Sequence, residues 1–381
     1  MVRTVSPDLL RKRLVEDDPP TVIDTRPSDD YEAWHIPGVY NYPFKPDDTV
    51  DLDNLASATN GNLNGEVITL CAKGKASTAF AQRLGDLGIE EVSVVQDGME
   101  GWSRVYELAA VPTVASGLEM YQVQRLAKGC LSYLLATPSS GEAVVVDPSR
   151  HREEYQRIAE DDGMTITHVI DTHVHADHIS GGRALADATE ASYHLPVGAA
   201  DRGVEYAYEP LEHNGVLTVG SFDIKAVPTP GHTSESMSLL IGGEAILTGD
   251  TLFVDSVGRT ELQFGDADAA KGARELYTSI HRTILSLPEN VKILPGHAPS
   301  EKERFLQSAG SPEMTTVSEQ RTQRELLRQD QDAFITAITE SLPDKPANFE
   351  RMLEINTGRD TPEDDAEAIE LELGPNRCAA H

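Results

Sequence analysis

The chain has 381 residues, of which 39% are hydrophobic, and carries 63 acidic against 32 basic side chains for a formal net charge of -31. That length leaves room for about two or three domains with cores of their own. The charge disfavours nucleic acid and anionic membranes as partners. The acid runs along the whole chain, which points to adaptation to high salt, where carboxylates hold water and screening weakens their repulsion. Three cysteines, Cys71, Cys130 and Cys378, are scattered and odd in number, so neither a disulfide framework nor a cysteine zinc site is implied. The opening MVRTVSPDLL lacks the apolar run of a secretion signal, and no segment approaches the ~18 apolar residues of a membrane span. A cytoplasmic location is the expectation.

Residues 1–112 read as strands alternating with helices, which predicts a small parallel α/β sheet. TVIDTR is an apolar strand ending near Asp24, EVITL runs into Cys71, and EVSVVQ leads to DGMEGW. Between the last two, STAFAQRLGDLG predicts an amphipathic helix with Phe80 and Leu84 on one face and Ser77 as its cap. Cys71 thus lies between a strand and a helix, in CAKGKAS. Loop amides and the helix dipole favour a thiolate there, and a persulfide on it. Lys73 and Lys75 add positive charge, and Gly74 lets the loop wrap an anion. The run IDTRPSDDYEAWHIPGVYNYP, the Cys71 loop and DGMEGW together resemble the rhodanese family. The resemblance implies sulfur transfer through Cys71, with Lys73, Gly74 and Lys75 around the bound group. It implies fold-stabilising roles for Asp24, Arg26 and His35; Trp34 and Trp102 read as packing residues. Ala76 stands where the family commonly has Arg, so thiosulfate is not specified as the donor.

AAVPTVASG reads as a linker. Residues 116–310 then read as a β-rich α/β domain. MYQVQRL, CLSYLLAT and EAVVVDP come first, followed by ITHVIDT, ASYHLPV, FDIKAVPT, SMSLLIG, EAILTGD and VKILPGH. Directly after ITHVI comes DTHVHADHISG. His173 and His175 alternate at the strand end, so both rings can approach one point, and Asp177 and His178 follow in the turning chain. Imidazole and carboxylate are what borderline divalent metals take. Three more apolar strands end alike, delivering His232, Asp250 and His297, each beside a Gly that permits a tight backbone. His168, His194, His213 and His281 lack this context and read as structural or surface residues. Cys130 reads as a small packed side chain.

THVHADH, PGH, GD and PGH, in that order, resemble the metallo-β-lactamase superfamily, which implies a four-layer αββα sandwich. The fold alone does not set the reaction, since the superfamily holds two-zinc hydrolases and oxygen-handling iron enzymes. GDTLFVDSVGRTELQFGD resembles the persulfide dioxygenases in its Gly258, Arg259, Thr260 and Glu261. On that resemblance His173, His232 and Asp250 hold one Fe(II), and three coordination places stay open. His175, Asp177, His178 and His297 then support the site or line an unused second one, and Arg259 positions substrate or braces the centre. The substrates implied are a low-molecular-weight thiol persulfide and O₂, the products sulfite and thiol, and a homodimer is the assembly common in the superfamily. The alternative is a glyoxalase II-like hydrolase with two zincs, the second held by Asp177, His178 and His297 with Asp250 bridging. A sulfur relay without catalysis is a third reading. The rhodanese-like region favours the dioxygenase, because it makes or consumes persulfide beside the site that would oxidise it.

Residues 311–381 read as a helical extension with an acidic tail. Phe334, Ile338 and Leu342 fall at i, i+4 and i+8 after Asp332 as a cap. RDTPEDDAEA is expected to be solvated and disordered. Cys378 and His381 close the sequence as a candidate redox or metal-touching tail, with disorder the commoner outcome.

Overall fold

The computed structural model describes residues 2–380 apart from 64, 113–115, 266, 299–301, 341, 343–344, 347 and 375–378. Cys378 and His381 therefore lie outside the described residues. The first sheet has five parallel strands in the order Arg3–Val5, Val92–Val95, Val67–Leu70, Thr21–Asp24 and Tyr40–Asn41. Val67–Leu70 is buried at every position, as a strand covered on both faces requires. The helix Lys75–Asp86 docks through Phe80 and Leu84, both fully buried. Its cap differs from expectation. The helix begins behind Gly74 at φ +84, and Ser77 is buried within the first turn. A loop that curls its amides around a sulfur needs a left-handed residue at that corner, which Gly supplies without steric cost. Trp34 and Trp102 pack in this domain's core, and Asp24 holds Arg26 at 2.7 Å.

Tyr106–Ala110, which overlaps the start of the expected linker, pairs antiparallel with Glu119–Arg125 and so opens the second sheet. That sheet has seven strands: Glu209–Leu211, Ser192–Pro196, Thr165–Ile170, Glu142–Val146, Cys130–Thr137, Glu119–Arg125 and Tyr106–Ala110. The third has six: Val216–Val219, Phe222–Pro228, Met237–Ile241, Ala245–Gly249, Lys292–Pro295 and Thr315–Thr316.

The period of two along these strands explains the layering. Tyr133, Leu135, Val144 and Val146 point between the sheets, where Ile224, Leu239 and Leu247 meet them. Their neighbours Leu134, Ala143 and Val145 point outward against Tyr155, Ile158 and Leu185 of the helices Arg152–Asp161 and Gly182–Thr189. Behind the third sheet, Leu276 of Ala269–Ser279 and Phe334 and Ile338 of Gln331–Glu340 cover Ile246 and Ile293. Four layers result, helix–sheet–sheet–helix. With both faces buried, nearly every position of Cys130–Thr137 and Ala245–Gly249 is apolar or bonded.

The extension departs from expectation in two places. Gln331–Glu340 is headed by Asp330, whose carboxylate accepts from the Ala333 N–H at 3.0 Å, in place of Asp332. The acidic run is ordered: Asp365–Glu372 is a helix capped by Asp364, with Ala368, Ile369, Leu371 and Glu372 buried. Its acids meet arginines from elsewhere in the chain. Asp365 pairs with Arg104 and Arg150, and Glu367 and Asp360 pair with Arg351. Composition hides such long-range partners. Among the described residues no helix is long and apolar enough to cross a membrane.

Candidate metal centre

The parallel strands Glu142–Val146 and Thr165–Ile170 end side by side, at Asp147 and at the loop 171–180. Across the sandwich, Phe222–Pro228, Ala245–Gly249 and Lys292–Pro295 deliver His232, Asp250 and His297 to the same end. Close approach is obligatory there. A Cβ at Gly258 would lie 1.9 Å from the Asp250 carbonyl oxygen, and one at Gly296 would lie 2.7 Å from Asp250 Oδ1.

His173, His232 and Asp250 form the first cluster, each offering one ligand atom within 4.8 Å of the others. His173 Nε2 and His232 Nε2 lie 3.8 and 3.7 Å from Asp250 Oδ2. The far side of each ring is fixed. His173 Nδ1 is 3.0 Å from Thr172 Oγ1, and His232 Nδ1 donates to the Arg259 carbonyl at 2.7 Å. His173 Nε2 and Asp250 Oδ2 are buried without a hydrogen-bond partner. An orphan of this kind costs about 1–3 kcal/mol, so two facing each other mark a place for a cation. Burial, then the neighbouring His175, hold the His173 pKa well below its ordinary value, which leaves the ring neutral with a lone pair to donate. Two imidazoles and one carboxylate fit a divalent transition metal.

His175 stands apart from this trio. Its Nε2 lies 3.3 Å from Asp147 Oδ1 and 3.8 Å from Asp171 Oδ1, and these three residues form a cluster of their own. Asp147 Oδ1 also accepts the Thr172 N–H at 2.7 Å, and Oδ2 accepts the Thr172 hydroxyl at 2.9 Å. Sequence reasoning passed over Asp147. Its signal was the same as that of Asp250: an apolar strand ending in a carboxylate, here with φ +50.

Asp177, His178 and His297 gather in a third cluster together with Cys130. Cys130 is buried as expected, but it faces ionisable neighbours and not only apolar ones. Burial raises its thiol, yet His178 and His297 outweigh that and bring it down to about 6. Asp177 Oδ1 is 3.0 Å from His178 Nδ1, and Asp250 Oδ1 accepts from His297 Nδ1 at 2.7 Å. Burial opposes charge on His178 and His297, but Asp177 raises the pKa of the first, and Asp250 then Asp177 that of the second. The pocket therefore favours positive charge.

Two residues of the extension grip the ligand loop. The Asn356 amide donates to the carbonyls of His175 and His178 at 2.9 and 2.8 Å and accepts from the Ser180 N–H at 2.9 Å. Glu372 accepts from the Ile179 N–H at 3.0 Å and from Arg125 and Arg150 at 2.8 Å. No local pattern flags either residue. Arg259 is 1% exposed and pairs with the equally buried Glu261, and its backbone carbonyl is the group that His232 Nδ1 meets.

In the first domain, Cys71 Sγ accepts from the Gly74 N–H at 3.1 Å and the Ser77 hydroxyl at 3.3 Å. Ser77 thus serves the sulfur and not the helix cap. Lys73 points away, to Glu100 at 2.9 Å, and Lys75 is exposed on the first turn. Gly98 backs the loop: a Cβ there would fall 2.0 Å from the Cys71 carbonyl oxygen.

Comparison with known proteins agrees with this geometry. Residues 6–105 match the rhodanese-like domain and residues 126–297 the metallo-beta-lactamase superfamily. The chain is 29% identical to the hydroxyacylglutathione hydrolase of Polaromonas sp. over 56% of its own length and 87% of that protein. It is 30% identical to the mitochondrial persulfide dioxygenase ETHE1 of Bos taurus over 45% of its length and 65% of that protein. The crystal structure of ETHE1 from Myxococcus xanthus superposes with a TM-score of 0.55 at 27% identity, covering 63% of this chain and 99% of that one. A rhodanese-like α/β domain followed by an αββα sandwich whose strand ends gather imidazoles and carboxylates identifies the chain as a member of the metallo-beta-lactamase superfamily with a rhodanese-like domain ahead of it.

Proposed function

We propose that the chain is a mononuclear iron persulfide dioxygenase that converts a low-molecular-weight thiol persulfide, O₂ and water to thiol and sulfite, fed or drained by sulfur transfer at Cys71. The observation that carries the reading is the convergence of His173, His232 and Asp250 Oδ2, with Asp250 Oδ1 taken up by His297. That leaves Oδ2 as the carboxylate oxygen turned to the two imidazoles, one oxygen beside two nitrogens, which is the donor set a single iron takes. Similarity to the bovine and Myxococcus proteins supports the same choice.

His173, His232 and Asp250 would hold the iron on one face. Bound there, Fe(II) supplies a redox-active centre at which substrate sulfur and O₂ can meet. The chain's own residues set the conditions. Thr172 and the Arg259 carbonyl fix the ring orientations, and such outer partners also raise ligand basicity. Burial of all three side chains keeps bulk water from the reacting sulfur. At Cys71, the Gly74 N–H and Ser77 hydroxyl hold the sulfur in place, where it can take a sulfane sulfur from a donor persulfide and pass it on. The acidic excess supports adaptation of the chain to high salt.

The test is metal content of protein purified without air, with oxygen consumption on glutathione persulfide. One iron per chain and stoichiometric sulfite are expected. Two zincs with cleavage of S-lactoylglutathione would transfer the site to the hydrolases. Cys71→Ser should abolish sulfur transfer while leaving sulfite formation from the small persulfide intact. Loss of both would make Cys71 part of the oxidation itself.

A further inference from the structure

A group of unsatisfied donors lies away from the strand ends that gather the metal ligands. Arg125 and His151 are buried, and the Arg150 side chain is 11% exposed. Arg125 Nη1, Arg150 Nη2 and His151 Nε2 are all buried without a hydrogen-bond partner. Each belongs to a side chain whose other polar atoms are engaged. Arg125 donates through Nε to the Ser103 carbonyl at 3.0 Å and through Nη2 to Glu372 Oε2 at 2.8 Å. Arg150 donates through Nε to the same Glu372 oxygen at 2.8 Å and through Nη1 to Asp365 at 2.5 Å. The shared oxygen brings the two guanidinium groups together. His151 Nδ1 meets the Tyr106 hydroxyl at 2.8 Å, and with Nδ1 as the acceptor the ring proton sits on Nε2.

The local charge runs against that of the chain. Arg104, Arg125, Lys128 and Arg150 gather around two carboxylates, Glu372 and Asp365, in a chain whose net charge is -31. Burial, then Arg125 and Arg150, bring His151 down to about 3, so its ring is a neutral donor beside two cations. Positive charge in excess, together with three buried donors that lack acceptors, calls for an anion rich in oxygens. The planar guanidinium fork pairs two oxygens at once, which suits an oxyanion better than a halide. The place is also telling. Arg125 is paired with Cys130 in the register of its hairpin, and the other oxygen of Glu372 holds the Ile179 N–H of the ligand loop. Arg104, 48% exposed on the far side of Asp365, joins the group to the surface.

We propose that Arg125, Arg150 and His151 bind a small sulfur oxyanion where the first domain, the sandwich and the C-terminal extension meet. The naming of that ion as sulfite rests on the dioxygenase reading, in which sulfite is the product; the anion site itself does not. Arg125 Nη1, Arg150 Nη2 and the His151 Nε2–H each donate to an oxygen of the ion, and no covalent bond is made or broken. None of the three residues is a metal ligand on either reading of the centre. A site between the ligand loop and Arg104 gives the product a station on its way from the buried centre to solvent.

The experiment uses the full chain with Cys71→Ser, so that sulfite cannot react at that sulfur, and follows sulfite binding by calorimetry without air at fixed ionic strength. One equivalent should bind, and inorganic sulfate should compete for it. His151→Phe should weaken binding at least about tenfold, the scale of one hydrogen bond to a charged group. Arg150→Lys keeps the charge but not the fork; it should do the same, and it serves should the phenylalanine variant not fold. Arg157→Ala, which removes a positive charge from an exposed helix face, should leave binding unchanged. Sulfite binding that both His151→Phe and Arg150→Lys leave intact would place the ion at the metal or elsewhere and overturn the assignment. Absence of saturable binding by sulfite and sulfate alike would reduce the three donors to contacts with water and overturn it too. The readout needs no turnover. Sulfate bound here by a chain that makes no sulfite from glutathione persulfide would keep the anion site and sink the dioxygenase reading, so the two can fail separately.

Discussion

Asp250 and His297 share a 2.7 Å hydrogen bond between Oδ1 and Nδ1 while the other carboxylate oxygen faces His173 and His232. Asp250 is therefore the hinge between two clusters, and Asp250→Asn should strike both. The amide loses the negative charge that binds the metal and can present an N–H to His297 in place of an acceptor. We expect iron content and sulfite formation to fall by at least about 100-fold in affinity or rate, the scale on which metal sites respond to lost partners. Iron analysis and oxygen uptake check this. Retention of full iron loading would remove Asp250 from the ligand set.

Arg259 and Glu261 are a buried pair, each 1% exposed. Removing one partner leaves the other charge uncompensated in the interior, at a cost of about 3–5 kcal/mol. Arg259→Ala should accordingly lower the melting temperature sharply and, by loosening the carbonyl that holds His232, reduce metal occupancy. Arg259→Ala with Glu261→Ala should recover part of the stability. An Arg259→Ala variant with unchanged stability and a raised KM would mean that the guanidinium binds substrate.

Asn356→Ala removes the partners of two carbonyls and one N–H in the ligand loop. At about 1–3 kcal/mol for each buried group left unsatisfied, local opening of residues 175–180 should become easier. Hydrogen exchange of the Ser180 amide should speed up, and chelators should strip the metal faster than from the unaltered chain. Unchanged exchange would show that the extension only covers the loop.

Acid should destabilise the fold in two stages. His151 is lowered to about 3, first by burial and then by Arg125 and Arg150. It stays neutral in the folded chain while the unfolded chain takes up a proton from pH ~6.5 downward, so its contribution is lost from there toward 3. Burial would raise Glu372, but Arg125 and Arg150 overcome this and hold it well below the ordinary carboxylate range. Its contribution is present above pH ~4.5 and fades as pH falls below that. Denaturant melts across pH 7 to 3 should show a decline that steepens below 4.5. Glu372→Gln should be less stable at neutral pH and lack the steeper limb.

Much of this was legible in the sequence because the signals are local. Strand, turn and ligand sit within a dozen residues at Asp171–Ser180, and again at His232, Asp250 and His297, so periodicity and the Gly beside each ligand suffice. What stayed hidden acts across long separations. Cys130 looked like packing because its partners lie 47, 48 and 167 positions away. The turn of His175 toward Asp147 depends on which strand lies beside Thr165–Ile170, a question of sheet order that spacing does not answer. The acidic run 359–368 was misread for the same reason: its charge suggested solvation, and only the fold shows Arg104 and Arg150 waiting for Asp365.

Glu372 meets the Ile179 N–H across 193 positions of chain, and that interval has a consequence during synthesis. At about 5–20 residues per second the ribosome needs roughly 10–40 s to make that stretch. Throughout it the loop bearing the histidines exists without its clasp, whereas the first domain has already been completed. In newly made chains the loop 171–180 should thus become protected later than the first domain, an order of maturation that pulse-labelled hydrogen exchange could read.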